Sequence, residues 1–166
     1  MLAARATLPI GIRLSAGIFA SAAFLGILKF SSLYPLPSWH VFFIMLGAVS
    51  ALPLWAIAAF DPMARVVREI HFALIFIGIM AVLGIIIVVF AHWPLYADVL
   101  ALLSSCIVIA GGMYSRQWYK LSGGCVLFCA FLLFATKISV IFLKPGDILH
   151  LGMGLGLWLS SRSNID

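Results

Sequence analysis

From Phe72 to Ala91 the chain carries no ionisable side chain, only aliphatic, aromatic and small residues. A helix of about 20 such residues, rising about 1.5 Å per residue, matches a hydrocarbon core about 30 Å thick. The rest of the chain follows the same pattern. With 65% hydrophobic and 9% charged residues, it lies far from the soluble range of about 45–50% apolar and about 25% charged. The expected fold is an all-α, polytopic transmembrane helix bundle that forms a single domain over residues 1–166.

Six apolar segments are expected to span. The first runs from Ile10 or Leu14 to Phe30 and stops where Pro35 and Pro37 forbid continuation. Arg5, Arg13 and the triplet Ala20-Ser21-Ala22 also suit a signal peptide, but the segment reads as a first membrane helix that serves as its own insertion signal. The second runs from Trp39 to Phe60, and Pro53 within it would free the Val49 carbonyl for Ser50 or a neighbouring helix to satisfy. The third covers Ile70 to Ala91, the fourth Leu95 to Met113, and the fifth Gly123 to Leu143 after the polar loop YSRQWYKLSGG. The sixth, Asp147 to Ser161, is short for a full crossing.

This arrangement sorts the cations. One side collects Arg5, Arg13, Arg65, Arg68, Arg116, Lys120 and Arg162, and the other only Lys29, Lys137 and Lys144. By the positive-inside rule both termini are then cytoplasmic, which requires an even number of spans. Trp39, Trp93 and Tyr96 fall at the outer boundary, with Tyr114, Trp118 and Tyr119 at the inner one. The net charge of +5 is dispersed between apolar segments and never forms a basic run, so nucleic acid is not the expected partner. The expected partners are the bilayer and other membrane subunits or a second copy, in a bacterial cytoplasmic membrane.

The sequence holds no GxSxG, HExxH or Walker motif, so a catalytic role is not expected. The ionisable residues of the outer side are the candidates for function. His40 begins the second span, His92 ends the third and His150 begins the sixth, where Asp147 stands three residues earlier on the same helix face. Imidazoles and a carboxylate from separate helices are the donors that Zn, Cu, Fe or haem would require, which makes His40, His92, His150 and Asp147 candidate ligands. The same residues suit a solvated polar rim, with Asp147 paired to Lys144 or Lys137. They also suit a proton-linked or ligand-binding role. Lys137, within the fifth segment, is expected either to snorkel or to face a pathway.

The remaining features have plain structural readings. Cys106, Cys125 and Cys129 fall inside apolar segments and are expected as buried free thiols. Ser104 and Ser105 are expected to bond to backbone carbonyls. Gly152 and Gly156 form a small-xxx-small pair that lets another helix backbone approach. No cofactor is identified by any of these residues.

The first helix, with Arg13, Gly17, Phe19, Gly26 and Lys29, resembles the opening helix of DoxX-like small membrane proteins. The ending Asp147-x-x-His150-Leu151-Gly152 is similar to the last span of a related group. Such proteins are typically built from four spans, and some are associated with respiratory or thiol redox complexes. The resemblance therefore implies an accessory membrane subunit. Three functions follow as expectations: a non-catalytic accessory or scaffold subunit, which the resemblance would place in an energy-transducing complex; a small transporter or channel with an outer His/Asp/Lys vestibule; and a metal- or haem-binding redox protein.

Overall fold

The computed structural model describes residues 8–30, 37–93, 95–139 and 145–162. These residues form helices α1 (Ile10–Phe30), α2 (Pro37–Leu46), α3 (Leu52–Phe60), α4 (Arg65–Arg68), α5 (Ile70–Ile85), α6 (Tyr96–Tyr114), α7 (Trp118–Ala135) and α8 (Pro145–Arg162). A π-helical turn, Gly47–Ala51, joins α2 to α3, and a second, Ile86–Phe90, extends α5. Five stretches are long and apolar enough to cross a membrane: Ile10–Leu28, Ser38–Phe60, Ile70–Val88, Tyr96–Tyr114 and Trp118–Ala135. Helix α8 is of comparable length, but Asp147, His150, Arg162 and its glycines keep it outside that set.

One end of the bundle is held by close backbone approach. Gly111 packs on the Ala59 carbonyl of α3, Gly112 on Leu121, Gly124 on Ile109, and Gly123 on Gly156 and Ser160 of α8. Gly152 meets Ala130 half-way along the same α7–α8 seam, and Gly156 meets Leu127. The small-xxx-small pair thus finds its partner on α7, with the two helices antiparallel. Trp55 Nε1 donates to Ser160 Oγ at 3.0 Å, which ties α3 to α8. Lys120 is buried in the first turn of α7 and donates from Nζ to the Ala59 carbonyl at 3.0 Å, serving the last turn of α3. Helix α7 therefore begins well before the expected Gly123, because Trp118 to Ser122 pack as helix rather than as polar loop.

The second span changes neighbours part-way along. Helix α2 packs on α1, whereas α3 packs mainly on α6. The π turn stands between them, its last bond running from Leu52 N–H to the Gly47 carbonyl, and Pro53 falls in the first turn of α3 where its missing N–H does least harm. Ser50 Oγ donates to the Leu46 carbonyl at 2.6 Å, so the hydroxyl serves that group rather than the expected Val49 carbonyl. Ser104 and Ser105 do bond to backbone, at the Leu100 and Ala101 carbonyls.

The cations Arg65, Arg68, Arg116, Lys120 and Arg162 lie at the glycine-packed end, and Asp98, Asp147, His92, Lys137 and His150 at the other. Aromatic rings mark both ends, with Phe60 stacked on Tyr114 at 6.1 Å and Trp93 set against Tyr96 at 5.9 Å. The three cysteines correct the sequence reading: Cys106, Cys125 and Cys129 are free but exposed. In lipid the outside of a bundle is as apolar as its inside, so an apolar neighbourhood carries no information about burial.

Substituting Gly123 by alanine places a Cβ 2.6 Å from the Gly156 carbonyl oxygen and 2.7 Å from the Ser160 nitrogen. The expected loss is about 1–3 kcal/mol, read as a lowered Tm in mild detergent. A Gly154→Ala control, with open space around its Cβ, leaves the Tm unchanged.

Candidate functional site

Toward the end away from the glycine contacts the helices enclose a cavity of about 380 Å³. Its walls come from α1, from α2 with the following π turn, and from α6, α7 and α8. The construction follows from the change of neighbours along the second span. Helix α3 fills the space against α6 at one end, but α2 stays with α1, and the space that α3 would have occupied is left open between α1–α2 and α6–α8.

The wall is apolar almost throughout. Phe19, Met45, Phe131, Phe134 and Met153 supply its larger side chains, and alanines of α1 and of the π turn leave the room. Two ionisable side chains line it, Asp98 and His150, each near the first turn of its helix. Asp98 is half-buried in the first turn of α6. His150 Nδ1 lies 2.6 Å from the Gly146 carbonyl. A carbonyl only accepts, so Nδ1 carries the proton and Nε2 of the neutral ring is an acceptor.

The candidate residues read from the sequence separate in space. His150 reaches the cavity. His40 is buried in α2, with its Nε2 3.0 Å from where a Cβ on Gly26 would stand, so it helps to pack α1 on α2. His92 is exposed in a left-handed conformation at φ 51, its Nδ1 bonded to the Phe90 carbonyl at 3.0 Å. Asp147 is exposed in the first turn of α8 and does not line the cavity. Among the described residues no three of His, Cys, Asp and Glu gather where they could hold a metal ion. Lys144 lies outside the described residues, as does the side chain of Lys29.

Lys137 falls elsewhere than expected. Helix α7 ends at Ala135, and Lys137 follows it exposed at φ 56. Its N–H bonds to Phe134, and the Ile138 N–H bonds back to Leu133 at 3.1 Å. This closure stops the helix before the anticipated Leu143. Lys137 is thus a cationic residue at a helix C-terminus, matched to the helix dipole, and Arg116 at φ 55 closes α6 in the same way.

Asp98 lines the cavity although it is not among the candidate ligands read from the sequence. The signal was present: it is the one carboxylate within the five apolar stretches of the described residues, and an acidic residue there marks a functional position by default. No protein-family profile, curated protein or solved structure matches the chain.

Because an L-residue in the left-handed region is disfavoured by about 1–2 kcal/mol, Lys137→Gly is expected to hold or raise the Tm. A pathway lysine would instead show its loss in ligand binding or flux with Tm unchanged. Thermal unfolding and probe labelling of the same variant distinguish the two roles.

Proposed function

We propose that this chain is an integral membrane protein that binds a small apolar or amphipathic molecule between its helices, as a carrier for it. The observation that supports the reading is the cavity of about 380 Å³, lined by apolar side chains with Asp98 and His150 as its ionisable groups. Ligand pockets of about 300–1,000 Å³ with mostly apolar walls and a few placed polar groups are the usual form of small-molecule sites. Of the expected vestibule, His150 stays in the proposal and Asp98 takes the place given to Asp147.

The experiment uses the full chain in nanodiscs with an uncharged alkyl diazirine as probe. Photolabelling is expected on the peptides that carry Phe19 and Phe134, with loss of both labels in a Met153→Trp variant that fills the cavity. Labelling confined to lipid-facing residues overturns the reading.

The topology proposed with it has α8 as a sixth span, both chain ends on the arginine-rich side, and that side cytoplasmic. A bacterial cytoplasmic membrane suits helical rather than β-barrel spans.

A second reading, the accessory or scaffold subunit implied by the DoxX-like resemblance, is favoured by α5. Of its residues only Ala73 and Gly84 are buried, and Gly78 has no neighbouring atom within 4 Å of an added Cβ. A larger membrane partner or a second copy packing there has a bare small-residue position to approach. In a variant with Cys106, Cys125 and Cys129 replaced by alanine, Gly78→Cys is expected to form a disulfide-linked or hetero-cross-linked species in native membranes. An exclusively monomeric product on gels overturns this reading and leaves the carrier reading standing.

A further inference from the structure

We infer that the cavity takes an amine-bearing amphiphile, with its apolar body between the α1–α2 and α6–α8 walls and its protonated amine against Asp98 and His150. This rests on the cavity being a ligand site. Among the described residues, the Asp98 carboxylate makes no hydrogen bond and no ion pair, although it is half-buried and lines the cavity. His150 Nδ1 is held by the Gly146 carbonyl at 2.6 Å, which leaves Nε2 as the ring atom a ligand can meet. A carboxylate accepts, so a ligand that meets ionised Asp98 must donate.

Charge narrows the class further. When ionised, Asp98 stands in the first turn of α6 among apolar side chains, and no Lys or Arg lines the cavity to oppose its charge. A neutral hydroxyl would satisfy the hydrogen bond and leave that charge unopposed. An ammonium supplies both the donors and the opposite charge, and pairing is strengthened where water is sparse. A fatty carboxylate brings like charge and is disfavoured.

The test uses the full chain in phosphatidylcholine nanodiscs with three alkyl diazirines of one chain length, ending in a primary amine, a hydroxyl or a carboxylate. Labelling of the Phe19 and Phe134 peptides by the amine is expected to exceed that by either other probe about tenfold or more, as a charge-assisted hydrogen bond predicts. In Asp98→Asn the amine preference is expected to disappear, while hydroxyl labelling persists. Equal labelling by amine and hydroxyl in the wild type, or an amine preference that survives Asp98→Asn, overturns the inference. The wild-type comparison stands whether or not the variant folds. Failure of the cavity reading is seen separately, as absence of label from all three probes. With phosphatidylethanolamine added to the nanodisc, reduced amine labelling identifies a lipid amine as the occupant, and unchanged labelling identifies a free one; both support the amine class.

Discussion

Gly111, Gly112, Gly123 and Gly124 turn toward different neighbours at one end of the bundle, and between them bring α3, α6, α7 and α8 into backbone contact. Hydrocarbon gives apolar helices no reason to prefer one another over lipid, so what associates them is close packing and the few polar bonds that packing permits. The bonds found here depend on that proximity. Trp55 reaches Ser160, and Lys120 reaches the Ala59 carbonyl, only because the intervening backbones touch. The buried lysine illustrates the rule that charge within a membrane protein is held by backbone carbonyls or by partners. Its neighbour α3 has carbonyls left over at its C-terminus, and a cation is what such a terminus accepts best.

The same tight end explains the looser one. Helix α3 belongs to the packed group, while α2, its continuation, belongs with α1. Gly26 against His40 and Gly47 against Phe19 keep the α1–α2 contact close. The cavity lies between these two groups, and its two ionisable groups stand toward the first turns of α6 and α8. An opening of this kind needs no special wall residue. It arises where two well-packed pairs diverge, and the alanines lining it set its width.

Much of this was legible in the residues. Runs such as Phe72 to Ala91 dictated helices of membrane length, and Gly152 with Gly156 announced a close neighbour, because both signals are local. The burial of the cysteines was not legible, since in a lipid solvent hydrophobicity stops discriminating inside from outside. Lys120 read as a loop residue because its carbonyl partner is 61 positions away. Lys137 read as part of a helix because nothing in Thr136-Lys137-Ile138 resembles the glycine that usually closes one. His40, His92 and His150 were grouped by their place at the ends of apolar segments, but such a place does not fix a direction. Of these histidines His150 lines the cavity, and the carboxylate that lines it is Asp98.

The π turn at Gly47–Ala51 sets a different condition on the chain from the loops around it. Each residue of an α-helix advances the side chains by about 100°, so an inserted residue rotates everything beyond it by roughly that angle. Here the π turn stands between α2, which packs on α1, and α3, which packs mainly on α6. Removing one residue between Leu46 and Leu52 would close the π turn, set Pro53 inside a continuous α-helix and aim Trp55 away from Ser160. In this segment length is therefore as much a part of the specification as residue identity, and homologous chains can be expected to vary in composition there while keeping the count.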